Sequence, residues 1–154
     1  MIRLASEADI PQIIALTDAV ADLHGEARPD ILKAHPRHIS EEKLLKNLRS
    51  EAHLVIVSEL DGVIAGAMLC TLRRLEGDIK FQDALVLSIE DTSVEKRYRK
   101  SGIGSALLQF AISEGVRRGC ARIEASVWGF NSESQAFFSA NGFRPQRYVL
   151  ERHI

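Results

Sequence analysis

The sequence predicts an α+β domain, a mixed and mostly antiparallel sheet with helices on both faces. Three observations predict it. Strand-like segments in the middle of the chain follow one another across a tight turn, as in an antiparallel meander. A glycine-containing turn and a helix then separate the meander from a further alternating segment, and such a strand–helix–strand crossover makes one parallel pair. Apolar residues at helical spacing lie both before and after the meander, so both faces of the sheet can be covered. The expected order is β-α-α-β-β-β-α-β-α-β, which is not that of a doubly wound Rossmann sheet.

Taken in order, Ile2 and Leu4 flank Arg3 in strand-like alternation. Asp9 with Gln12 three residues on reads as a capping box, and Ile10, Ile13, Ile14, Thr17, Val20 and Ala21 follow a helical spacing. "HGEARPDILKAHPRH" has two prolines and a glycine and reads as an irregular connection. Ser40 caps a second helix carrying Leu44, Leu45 and Leu48. "HLVIVSEL" and "VIAGAMLCTL" flank Asp61-Gly62, a strong hairpin signal. "ALVLSIEDTSV" (84–94) is the next strand, and its apolar run suits burial on both faces. A helix from about Ser105 to Arg118 ends at Gly119, and "ARIEASV" alternates after it. Ser132 with Gln135 starts a short helix that stops at Asn141-Gly142, and "FRPQRYVLERHI" reads as a terminal strand or hairpin.

With 154 residues, 45% of them hydrophobic, and no repeat or linker, the chain suits one domain over 1–154. The net charge of −1 gives no global basic field, so nucleic acid and acidic membranes are not expected partners. No apolar run approaches the roughly 20 residues that span a bilayer, and the first residues lack a signal-peptide core. Cys70 and Cys120 form no CxxC pair and read as reduced thiols. A cytoplasmic location is expected.

One local feature departs from this even balance. Lys96, Arg97, Arg99 and Lys100 gather just before Gly102 and Gly104, where a helix begins. A strand running through a glycine turn into a helix is suited to a phosphate. The first helical amides have no intrahelical partner, and the helix dipole adds positive charge. The stretch lacks the lysine of GxxxxGK[ST], and Leu107 stands where a dinucleotide fingerprint needs its third glycine.

Arg99-x-x-Gly102-x-Gly104 resembles the (Q/R)-x-x-G-x-(G/A) signature of the GCN5-related N-acetyltransferases, the GNAT family. "NSESQAFFSANGF" resembles that family's N-x-x-A-x-x-(F/L)-Y-x-x-x-G-F segment at Asn131, Phe137, Gly142 and Phe143. "IEDTSV" resembles its I-E-D-x-x-V strand. The element order is also the family's, so the resemblance covers nearly the whole chain.

The resemblance implies an N-acetyltransferase with acetyl-CoA as cosubstrate, a primary amine as acceptor and no metal. Lys100, Ser101, Gly102, Ile103, Gly104 and Ser105 would hold the CoA pyrophosphate with Arg99 beside them. Val94 would offer its backbone to pantetheine in a splay between two strands, with Asn131 and Phe138 helping to hold that arm. Lys96 and Arg97 read as solvated loop cations. Glu90 is the expected general base. Period-two alternation puts it on the face of Val94 and turns Asp91 to the other face, as a structural residue. Phe138 stands where many members carry a tyrosine acid; a thiol pKa near 8.5 lets CoA thiolate leave with little help. The ring suits pantetheine or core packing equally.

Acceptor specificity is expected from residues 22–40, whose mixed charges select no substrate. His24, His35 and His38 lack metal-site support, and Trp128 and Phe130 can line the cleft or pack in the core. Relatives imply a homodimer. The alternative to an enzyme is a non-catalytic acyl-CoA-binding or sensor domain of the same fold.

Overall fold

Asp61 and Gly62 take the positive φ angles of 49° and 79° that a tight hairpin requires. They join β2 (His53–Leu60) to β3 (Val63–Leu75). The structure, a computed structural model, describes residues 1–154. Strand β1 (Ile2–Leu4) precedes that hairpin in the chain, β4 (Ala84–Val94) follows it, and β5 is the short segment Arg122–Ala125. The sheet order is β1-β2-β3-β4-β5, antiparallel except for the parallel β4–β5 pair. The crossover between that pair carries helix α3 (Ile103–Arg117), so the predicted mixed sheet is formed.

Both faces of the sheet are covered. On one, Leu54, Ile56, Met68 and Leu87 pack with Leu107, Leu108 and Ala111 of α3 and with Phe138 of α4 (Ser132–Ala140). On the other, Val55, Val57, Ala67 and Leu69 pack with Ile10 and Ile13 of α1 (Ile10–Ala27) and Leu44 of α2 (Glu41–Leu48). Burying a side chain of this size contributes about 1.5–3 kcal/mol, so these two layers fix the sheet between its helices.

Local capping differs from the expectation in two places. Asp9 accepts from Ser6 N at 2.7 Å and Ser6 Oγ at 3.0 Å, one turn before α1, while Gln12 Oε1 accepts from Ile64 N at 2.9 Å. Gln12 therefore ties α1 to the start of β3 instead of closing a box with Asp9. Asp9 also receives Arg3 at 2.7 Å, and that guanidinium holds its carboxyl down to about 2. At α4 the capping side chain is Asn131, whose Oδ1 accepts from Ser134 N at 3.0 Å; Ser132 is already helical. Ser40 caps α2 as expected, accepting from Lys43 N.

The fold class stands, but residues 143–154 form no strand. They run past β5, where Gln146 donates to Glu124 at 3.1 Å, and reach the end of α1, where Glu151 pairs with Arg28 at 2.7 Å. Tyr148, Val149 and Leu150 are 79%, 92% and 90% exposed. Alternating apolar residues make a strand only when a neighbouring edge accepts their backbone bonds, and no such ladder forms here.

Candidate active site

The site begins with a defect in β4. Leu69 of β3 lies opposite Asp91 and Cys70 lies opposite Ile89, so Glu90 has no partner residue and forms a β-bulge. One extra residue reverses the alternation beyond it. Ile89 belongs to the α3 layer, whereas Asp91 pairs with Leu69 and Ser93 with Ala67, both in the α1/α2 layer. Val94 lies opposite Gly66, at which an added Cβ would meet Ile103 of α3 at 2.9 Å. Glu90 lines a cavity with Ile39, Lys43 and Leu69. Glu90 and Asp91 therefore share the α1/α2 face, and Val94 lies on the other. That corrects the expectation of Glu90 with Val94 and Asp91 opposite.

The same strand opens at its other edge. Strand β5 ends at Ala125, paired with Ile89, while β4 runs on to Val94. The last residues of β4 thus have a strand neighbour only on the β3 side, which leaves a gap in the strand pairing beside the bulge. The β4–β5 pairing thus ends before Val94, where the resemblance implies a splay.

Below that gap lies the glycine turn. A 3-10 turn, Lys96–Tyr98, leads from β4 to residues in two left-handed conformations, Lys100 at φ 63° and Gly102 at φ 88°. Glycine meets that geometry without a Cβ penalty; Lys100 meets it at a cost. The backbone amides from Lys100 through Ser105 donate to no protein acceptor. They form a row of free donors at the positive end of α3, and such a concavity suits an anion. Gly104 serves a second purpose, because a Cβ there would lie 3.2 Å from Phe137 Cε2 of α4. It lets α4 close against the turn.

The cations divide by role. Arg99 Nε donates to Val94 O at 3.1 Å, tying the turn to the strand end. Arg97 pairs with Glu95 at 2.7 Å and lies over the Tyr98 ring at 4.7 Å, and Lys96 makes no ion pair. Ser101 Oγ donates to Tyr98 O inside the turn. Asn131, as the α4 cap, uses only its oxygen and leaves its side-chain amide N–H groups free. Phe138 is 8% exposed and packs edge-on against Phe137 and Phe143, so its ring belongs to the core beneath the gap.

On the α1/α2 face, Asp91 is buried, and Ser93 Oγ donates to it. Burial pushes its carboxyl up, opposed by Ser93 and by the nearby His38 and His24. Burial pushes His24 down, and its ring meets Phe130 edge-on at 5.7 Å. Phe130 stacks on Trp128, and Arg28 lies 5.8 Å above the Trp128 ring. These aromatics join the end of α1 to the loop after β5, at the margin of the gap.

Cys70 lines the same cavity as Glu90 and is pushed up to about 12 by burial and by Glu90. Its thiol is protonated at neutral pH and is a poor nucleophile. The cavity also takes Lys43 and Asn47 from α2, and His53 from β2. His38 and Ile39 in its lining come from the 22–40 segment where acceptor specificity is expected, and Lys43, Asn47 and His53 lie outside it. A histidine opening an apolar strand was the one visible sign of them.

The chain matches the acetyltransferase (GNAT) family over residues 17–143, and it belongs to that family. It is 25% identical over 140 residues to an uncharacterized N-acetyltransferase of the pepI 3′ region in Lactobacillus delbrueckii subsp. lactis, covering 89% of this chain and 80% of that protein. Its fold matches a mutant of the BH1408 protein from Bacillus halodurans with a TM-score of 0.95 and 24% identity, covering 100% and 99% of the two chains. It also matches the aminoglycoside N-acetyltransferase AAC(6′)-Iy, solved in complex with CoA, with a TM-score of 0.75 and 18% identity over 100% and 98%. No helix is long and apolar enough to cross a membrane.

Proposed function

We propose that the protein is an acetyl-CoA-dependent N-acetyltransferase that acetylates a primary amine by direct attack in a ternary complex. The observation that carries this reading is the row of free amides from Lys100 to Ser105, set below a gap in the sheet with Glu90 at its edge. The amides and Arg99 would hold the CoA pyrophosphate, and Val94 and Asn131 the pantetheine arm. Acetyl-CoA supplies the thioester.

The division of faces made by the bulge supports attack across the gap. The donor would enter from the α3 side and the amine from the α1/α2 side, where Glu90 stands. As the amine nitrogen bonds to the acetyl carbon, the carbon–sulfur bond breaks and Glu90 takes the amine proton, directly or through water. A backbone amide of β4 near Val94 would donate to the carbonyl oxygen as its charge develops. The protonated Cys70 thiol favours direct transfer over a covalent acyl-enzyme.

The second reading, an acyl-CoA sensor, draws on the phenylalanine at position 138 in place of an acid. Thermal unfolding with CoA, acetyl-CoA, ATP and NAD supplied separately tests the cosubstrate. Only CoA and acetyl-CoA are expected to protect, by about 2.7 kcal/mol at roughly 100 times Kd. Equal protection by ATP and NAD removes the proposed site. Release of CoA thiol with an amine panel then separates enzyme from sensor.

A cytoplasmic location and a homodimer complete this reading. The free thiols Cys70 and Cys120 support the first. The exposed run Tyr148–Leu150 supports the second, as apolar surface that a second copy can cover. Sedimentation at micromolar concentration is expected to give twice the chain mass, and a single-chain mass throughout overturns it.

A further inference from the structure

The cavity entered by Glu90 is small, about 270 Å³, and its lining carries charges of both signs. Glu90 is the one carboxylate lining it, and Lys43 the one ammonium. Lys43, Asn47 and His53 also line a more open cavity outside it, where Lys46 adds a second ammonium and Glu42 a rim carboxylate. None of the ion pairs in the molecule uses Glu90, Lys43, Lys46 or Glu42. These charges are left to solvent or to a ligand.

His53 lines both cavities and feels both charges. Burial lowers its pKa most, Lys43 and Lys46 lower it further, and Glu90 opposes them. The imidazole is therefore held toward its neutral form, in which it can donate or accept a hydrogen bond without adding a charge. Its Nδ1 is shielded from solvent and has no partner in the protein. The lining thus combines a carboxylate at the sheet bulge, the imidazoles of His38 and His53, the amide of Asn47 and the ammonium of Lys43, with Lys46 in the adjoining cavity.

Resting on the acetyltransferase reading above, we propose that the acceptor is a small zwitterionic amine that also carries a carboxylate. Its amino group lies toward Glu90 and its carboxylate toward Lys43 and Lys46. The cavity that holds both Glu90 and Lys43 lies just below the roughly 300 Å³ at which pockets for drug-sized ligands begin, which suits a molecule of amino-acid size, with Lys46 beyond it in the adjoining cavity. A polycation such as an aminoglycoside or polyamine would set its further ammonium groups against Lys43 and Lys46, with only Glu42 at the rim to offset them. A neutral amine would leave both lysines without a partner.

Matched acceptors of one chain length test this: an ω-amino acid, its neutral amide and the corresponding diamine. Each is titrated into the CoA-loaded protein by calorimetry and assayed for CoA thiol release with acetyl-CoA. The amino acid is expected to exceed the amide in affinity and in kcat/KM by about tenfold, the scale of one charge-assisted contact. Lys43→Met is expected to bring the amino-acid-to-amide ratio close to one, and Lys43→Arg to keep most of it, with unfolding curves confirming that both variants fold. Preference for the diamine, equal treatment of all three, or binding of none overturns the proposal. An amino acid that binds best but is never acetylated leaves the cavity as a site for a zwitterionic ligand and removes the transferase reading. Rapid acetylation of the diamine does the reverse.

Discussion

Glu90→Gln is expected to lower kcat/KM for acetyl transfer by about 100-fold or more, the low end of what a positioned general base contributes, with CoA affinity unchanged. The substitution keeps size and shape and removes only the capacity to take a proton. Glu90 is exposed, makes no hydrogen bond or ion pair within the protein, and lies at a bulge with no residue opposite. Little stability depends on it. The proposed CoA contacts lie on the other face and at the α3 turn, so the thermal protection by CoA should match that of the parent protein. The loss should fall mainly in kcat. If the variant turns over normally at every pH, Glu90 is not the base. If only KM rises, its role is to attract the cationic amine, and proton removal belongs to solvent.

The same residue shows where sequence reading stops. The hairpin at Asp61-Gly62, the meander and the glycine turn are local. Each follows from residue types a few positions apart, and each is formed. The bulge is not local in that sense. Nothing in Ile89-Glu90-Asp91 distinguishes a strand that alternates cleanly from one that holds two residues against one. The difference is set by the register with β3, where Leu69 meets Asp91 and Cys70 meets Ile89. Counting by twos therefore placed Glu90 and Val94 together and Asp91 apart, and the sheet reverses both.

The caps failed for a related reason. Ser132 and Asn131 are both good N-cap residues, and backbone geometry selects Asn131. The cavity on the α2 face was the least legible part, because its walls come from α2, β2, β3 and the bulge. Lys43, Asn47, His53 and Glu90 lie up to dozens of residues apart and share no motif. At the other end of the chain, residues 143–154 have strand-like alternation without a partner edge, and alternation alone cannot supply one. In each case the missing information is a long-range pairing.

Phe138→Ala is expected to cost about 3–5 kcal/mol of stability, the usual loss for a buried phenylalanine. At roughly 2–4 °C per kcal/mol for a chain of this size, the unfolding midpoint should fall by about 10 °C. The ring lies among Leu54, Leu87, Leu107 and Leu108, with Phe137 and Phe143 edge-on at 5.0 Å each. Removing it leaves a cavity under the end of the gap. It also loosens Phe137, which closes on Gly104 at the start of α3, so weaker protection by CoA should accompany the lost stability. Phe138→Tyr asks the chemical question separately. It introduces the phenol that many family members use as an acid, but into an apolar layer where an unpaired hydroxyl costs about 1–3 kcal/mol. The expected result is lower stability with no gain in kcat, which would leave the CoA thiolate to depart unassisted. A tyrosine variant that folds as well as the parent and turns over faster would mean that the ring at 138 faces the gap. The alanine variant would then weaken CoA binding without lowering the unfolding midpoint.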